Sequence, residues 1–260
     1  MSTVVAAIRP LAGTRARRSY FYVGMSAACL AVCAIGFSLT YWIPLTRGTF
    51  KGNPVVHIHG WLLFTWMLLQ LLQSWLVASG RTAHHRDVGL LGVSLATSMV
   101  IATLLAAVNR AEIFLAQGHT LAGSSTFVGT ATLDMIAFAT VLTIALVNVH
   151  RPETHRRLVL IATISLVGAA VTRIYAVFAL QALLTAGTQF HVDLPVLTTD
   201  LLLAAPLIHD LRTRKSIHRA NSVGVGALLT LHVFRVPLLA SGAVRLLGGG
   251  VLALIGHTGR

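Results

Sequence analysis

The chain has 260 residues, of which 55% are hydrophobic and only 10% charged, and its mean hydropathy is +0.79. Soluble domains carry charge on about a quarter of their residues, so this composition excludes a water-solvated globule and requires lipid as a partner. The formal net charge of +13 comes from basic residues scattered through short turns, which excludes the basic stripe of a nucleic-acid binder and fits a membrane topology signal.

Residues 1–19 read as a basic arm carrying Arg9, Arg15, Arg17 and Arg18. The apolar run behind it lacks a small-residue cleavage site, so it reads as a retained first span and not a removed signal peptide. A crossing needs about 20 mostly apolar residues. Seven stretches supply them, at about 20–43, 55–79, 88–108, 126–149, 157–182, 192–211 and 220–242. The expected fold is an all-α integral membrane bundle of seven transmembrane helices over residues 20–242, followed by a tail at 243–260. Segment 110–125 is too polar to cross and the tail is too short and glycine-rich, so both are expected at the interface. Thirteen Lys and Arg residues fall on the N-terminal side of the bundle and five on the other. That asymmetry places the N-terminus in the cytoplasm and the C-terminus outside, in a cytoplasmic (inner) membrane.

The polar residues follow in chain order. Cys29 and Cys33 are one turn apart on the first span; their side chains point the same way, which disfavours a disulfide and suits small core residues. On the second span His59, Trp66, Gln70 and Gln73 form one stripe at 100° per residue, with His57 turned toward the outer loop. On the third, His85, Gly89, Gly92 and Ala96 share a face, which suits a tight helix contact or, less commonly, a flat cofactor. The fourth span contributes Asp134. The fifth carries His155 and Arg173 at the two ends of a stripe through Ala162, Leu166 and Ala169. The sixth contributes Asp200 and His209. On the seventh, His218, Ser222, Val225, Leu229 and His232 share a broad face followed by Arg235, with the two histidines about 21 Å apart along the axis.

Charges at membrane depth are costly and normally paired, so Asp134 or Asp200 is expected to meet Arg173 or Arg235 as an ion pair or charge relay. Imidazoles near both surfaces suggest a cofactor site. Haem iron and transition metals accept neutral imidazole. The dihaem reading pairs His59 with His232 in the outer layer, and His218 with His85 or His155 in the inner one; His209 lies at the same inner depth as a further metal ligand. Haem b or a transition metal would then support transmembrane electron transfer. A two-metal desaturase-like ring built on His84, His85, His150 and His155 is a lesser alternative, since no HxxHH string occurs. A proton-coupled small-solute transporter is the main non-redox alternative, resting on Asp134, Asp200, Arg173 and the breaks at Pro195, Pro206 and Pro237. A cofactor-free assembly or scaffold protein is the third. Both lysines, Lys51 and Lys215, sit in turns, which argues against a retinal Schiff base. Walker A, GxSxG, HExxH and CxxCH strings do not occur, so nucleotide hydrolysis, zinc proteolysis and covalent haem attachment are unsupported.

The fourteen-residue spacing of His218 and His232 resembles the two-level histidines of membrane b-type cytochromes. Those proteins place a comparable pair on a second helix, whereas the position fourteen after His59 is Gln73. More broadly, the string HIHGWLLFTWMLLQLLQSWLVASGRTAHHRDVGLLG, the later HRRLVLIATISL and the IHRAN turn resemble a family of uncharacterised bacterial multi-pass membrane proteins. The likeness spans most of residues 20–240. Its recurrent element is His-Arg at the cytoplasmic start of a span, here His85-Arg86, His155-Arg156 and His218-Arg219. The resemblance implies a fold and, through related small membrane proteins, haem binding or assistance to a respiratory or redox partner. The blandest account of each His-Arg element is an interfacial cap that satisfies backbone N–H groups and contacts lipid phosphate.

Overall fold

The computed structural model describes residues 20–178 and 194–254. The basic arm, residues 179–193 at the junction of the fifth and sixth expected spans, and the last six residues lie outside the described residues. Seven helices are long and apolar enough to cross a membrane: α1 (Phe21–Thr46), α2 (Pro54–Ala78), α3 (Thr82–Ala116), α4 (Leu121–Val147), α5 (Pro152–Val177), α6 (Leu194–Arg214) and α7 (Arg219–Ala240). An eighth, α8 (Ala243–Leu254), is shorter, and there are no strands among the described residues. The chain is a multi-pass membrane protein.

Consecutive helices alternate in direction, as their end contacts show. Near the start of α1 Ser26 hydrogen-bonds Ser74 near the end of α2, while Tyr41 of α1 meets His57 at the start of α2. Tyr175 at the end of α5 hydrogen-bonds Thr198 at the start of α6, and Arg157 at the start of α5 pairs with Asp210 at the end of α6. One end of the bundle therefore gathers Arg81, Arg86, Arg151, Arg156, Arg157, Arg212, Arg214 and Arg219; it is called the arginine-rich end below.

Local sequence explains the boundaries. Asn53 caps α2 through Val56 N–H with Pro54 in the first turn, and Thr120 caps α4 through Gly123 N–H. Segment 110–125, expected at the interface, is mostly helical. α3 continues to Ala116 as a 35-residue helix, about 52 Å long by its rise. The polar break is confined to residues 117–120, where Gly118 takes a φ of +85°. A left-handed glycine and a threonine cap suffice to reverse the chain, so the polar flanks stay helical. α1 contains a π-helical turn at Ser38–Trp42 that carries Tyr41 onto His57.

α5 is the hub. It packs against α1, α4, α6 and α7, and Trp66 of α2 donates its indole N–H to Thr163 at 3.3 Å. Residues Leu160, Ile161, Ala162, Thr163 and Ile164 are all buried in succession, the mark of a helix enclosed on every side. Gly36 lets α1 approach the Ala170 main chain, where a Cβ would collide with the carbonyl. Cys29 and Cys33 are buried free thiols in this core.

Candidate functional site

Three polar clusters are built onto this frame. The first closes the arginine-rich end. Arg157 sits one turn into α5, Asp210 in the last turns of α6, and Asn221 in the first turn of α7. Arg157 and Asp210 are 1% and 0% exposed, so their charges meet away from solvent. Arg157 donates through Nη2 and Nε to the two carboxylate oxygens at 2.5 and 3.2 Å. Asp210 Oδ2 also accepts from the His218 backbone N–H at 2.9 Å and from Asn221 Nδ2 at 2.8 Å. Lys215, at φ +60°, turns the α6–α7 connection so that the His218 backbone returns to Asp210. The remaining guanidinium nitrogen donates to Glu153, through both its side chain at 2.6 Å and its carbonyl at 2.8 Å. The cluster locks α5, α6 and α7 together.

His218 belongs to this cluster as a helix cap and not as a member of the α7 face. Its Nδ1 accepts from the Ala220 N–H at 3.1 Å, which requires a neutral ring. Burial, with the Arg157 and Arg214 charges, pulls His218 below the ordinary imidazole range. The unfolded ring takes up its proton near about pH 6.5, so the cap's contribution is complete above that value and is lost as pH falls through the lower folded value. Replacing His218 by Asn, which caps without titrating, should flatten the acid limb of stability between about pH 7 and 5, against a cap contribution of about 0.5–2 kcal/mol. Thermal melts in detergent across that range test it; an acid slope identical to that of the parent would count against titration of this cap.

The second cluster lies nearby between α2, α3, α4 and α5. The His85 and His155 rings stand edge to face with centroids 6.4 Å apart. His155 Nδ1 is 2.9 Å from the Ala145 carbonyl of α4. As the donor in that bond it leaves Nε2 free. His209, at the same end, stacks on Phe21 with centroids 4.0 Å apart.

The third cluster lies toward the opposite end, between α4, α6 and α7. His232 Nδ1 is 2.6 Å from Asp200 Oδ1, with side-chain exposures of 13% and 17%. One turn further along α7, Arg235 Nη1 is 3.4 Å from Asp134 Oδ1. The expected partnership of Asp134 with Arg235 is thus present. Arg173 is placed otherwise: it donates to the Ala169 carbonyl of its own helix at 2.9 Å and lies over the Phe37 ring at 4.3 Å. Backbone oxygen and an aromatic face satisfy this guanidinium, and among the described residues it forms no ion pair. His59 is bonded to Thr103 of α3 at 3.3 Å.

These placements bear on the cofactor expectation. His59 and His232, expected to share an outer haem, hydrogen-bond through Nδ1 to Thr103 of α3 and to Asp200 of α6 respectively. The α7 face that is buried runs through Asn221, Val225 and Leu228, while Ser222 and Leu229 are exposed. The groove at Gly89 and Gly92 is occupied by Gln73 and Leu69 of α2, the tight helix contact and not a cradle for a porphyrin edge. No group of three or more His, Cys, Asp or Glu side chains positioned to hold a metal occurs among the described residues.

Comparison with known proteins adds no assignment: no family model, no curated protein and no solved structure matches this chain. Arg157 and Asn221 are the residues that sequence reasoning passed over. Their signal was an acid, Asp210, standing beside the apolar run LLLAAPLI.

Proposed function

We propose that this protein is a proton-coupled transporter of small solutes, with Asp200, His232, Arg235 and Asp134 as its proton-handling residues. The observation that carries this reading is the 2.6 Å contact between His232 and Asp200 on two helices long and apolar enough to cross a membrane. Ionisable residues at membrane depth are expensive and mark ion or proton pathways.

The cluster's charge arithmetic favours proton exchange. Two carboxylates and one guanidinium with a neutral imidazole sum to −1, and one proton on His232 brings the sum to zero. Low dielectric makes that difference matter, because a net charge there is costly while a neutral set is not. When Asp200 accepts from Nδ1–H of His232, Nε2 remains as the nitrogen that takes and returns the proton. Pro206 lies in α6 beyond Asp200 and Pro237 in α7 two residues beyond Arg235. Each removes a backbone hydrogen bond and supplies a bending point, so two of the three helices that hold the cluster carry a site where they can bend.

Proteoliposomes loaded with a pH-sensitive dye and given a potassium diffusion potential test the reading. Proton entry should be measured with and without an internal mixture of amino acids, monosaccharides and short carboxylates. The parent should admit protons faster than protein-free vesicles, and Asp200→Asn or His232→Ala should reduce the excess by about tenfold or more, as expected when an acid–base group is lost. His57→Ala, outside the cluster, should not. Parent flux equal to that of empty vesicles, or flux unchanged in both cluster variants, sinks the proposal.

A further inference from the structure

The second cluster carries an inference independent of the transport reading. Gln73 is 9% exposed and its Oε1 is buried with no hydrogen-bond partner, and His85 Nδ1 is buried in the same condition. Both belong to the seam between α2 and α3: the Gln73 amide Nε2 lies next to Gly89, one turn on from His85, and the Gln73 main chain is a hydrogen-bonding neighbour of the His85 ring. Across from them, His155 is held through Nδ1 by the Ala145 carbonyl. An unsatisfied buried polar atom costs about 1–3 kcal/mol, so two neighbouring ones, beside an imidazole fixed in orientation, indicate a missing common partner.

We infer that His85, His155 and Gln73 form a binding site for one borderline divalent transition-metal ion of the zinc, nickel and copper class. Two imidazoles and a neutral oxygen match the ligand preference of these ions, whereas calcium and magnesium demand an oxygen-rich set. The ring centroids stand 6.4 Å apart, about 1 Å more than two imidazoles on one tetrahedral ion with metal–nitrogen bonds of about 2.0–2.1 Å would span, so the two rings close by about that much when the ion binds. A carbonyl that takes Nδ1–H of a ligating histidine is the usual device for fixing its tautomer and presenting Nε2 to a metal, and Ala145 occupies that position on His155. Three protein ligands leave one tetrahedral position for water or another ligand. The three residues come from α2, α3 and α5, so the ion would tie the hub to two neighbours at the arginine-rich end. The site contains two histidines and an amide, which is why no cluster of three His, Cys, Asp or Glu residues marks it.

The full-length protein in mild detergent, stripped by chelator, should be titrated with Zn²⁺ and, separately, with Cu²⁺. One equivalent of Zn²⁺ is expected to bind in the parent. His85→Ala and His155→Ala should each weaken it by more than the about 10- to 100-fold that loss of an outer-shell partner costs. Gln73→Leu, which removes the third ligand, should weaken it by no less than the about tenfold that loss of an outer-shell partner costs, and His84→Ala, on the exposed neighbouring residue, should leave it unchanged. Electron paramagnetic resonance of the Cu²⁺ form reads the parent directly, without relying on any variant's folding: hyperfine coupling to two imidazole nitrogens is expected. Absence of stoichiometric Zn²⁺ binding, affinity unchanged in both histidine variants, or a Cu²⁺ spectrum without two nitrogens overturns the assignment. Since none of these residues belongs to the Asp200–His232 cluster, either proposal can fail alone.

Discussion

Replacing Asp210 by alanine is expected to destabilise the folded bundle by about 3–5 kcal/mol, the cost of breaking a buried ion pair from one side. The carboxylate is fully buried and is the common acceptor for the Arg157 guanidinium, the His218 backbone N–H and the Asn221 amide. Its removal strands a buried cation whose other carboxylate partner, Glu153, is 45% exposed and screened. It also leaves the start of α7 without an acceptor for two donors. Arg157→Ala should cost a comparable amount by leaving the carboxylate alone. The double variant Arg157→Met with Asp210→Leu separates a charge effect from a packing effect. Apolar replacement of a buried pair is often close to neutral, so the double variant should be more stable than either single one. Chemical denaturation in detergent followed by circular dichroism measures all three. A single variant as stable as the parent, or a double variant that shows the full sum of the single losses, contradicts this account.

The seven crossings were legible in the sequence because a run of about 20 apolar residues is a local property. The stripe His59, Trp66, Gln70, Gln73 was largely legible, since 3.6-residue periodicity fixes which residues share a face: the last three are buried and His59 is half-buried. Which charges would pair was half legible. The expense of charge in lipid demanded a partner for Asp134, and Arg235 supplies it. The same rule misjudged Arg173, whose fate depends on helix rotation and on Phe37 from another helix. The Arg157–Asp210 pair was not legible, because arginines at helix starts already have a topological explanation and nothing local distinguishes the buried one from Arg151 or Arg156. His218 misled for a related reason: fourteen residues from His232 is a helical spacing only if His218 is helical, and it is a cap. The docking of α8 was invisible because twelve glycine-rich residues have no span-length signal, and its contact is written in small residues of two distant segments.

That contact carries a second large effect: leucine at Gly129 or Gly248 should release α8 from α4 while leaving the seven long helices in place. Ser125 and Gly129 lie one turn apart on α4, and Val244 and Gly248 one turn apart on α8. A Cβ on Gly129 would strike the Val244 carbonyl, and one on Gly248 the Ser125 carbonyl. Both obstacles are main chain, which cannot rotate aside, so the helices themselves must separate. Between apolar helices in lipid, close packing is a main source of association, and overpacking costs about 1–3 kcal/mol or more. Beside the glycine contact, α8 is held by buried Val244 and by Leu252, which packs in an apolar cluster with Ala107, Val108 and Ala111 of α3 and Val128 of α4. A cysteine pair at Ser125 and Gly249 reports the docked state, since a Cβ on Gly249 would lie 3.9 Å from Ser125 Oγ. Mild oxidation should close that disulfide nearly completely in the parent background, read as loss of two alkylatable thiols, and several-fold less in Gly129→Leu or Gly248→Leu. Gly250→Leu is the discriminating control, because a Cβ there meets nothing within 4 Å. Equal closure in all three backgrounds would mean that α8 is held by something other than its glycine contact, whereas loss in Gly250→Leu as well would point to altered helix propensity or lipid affinity and not to the interface.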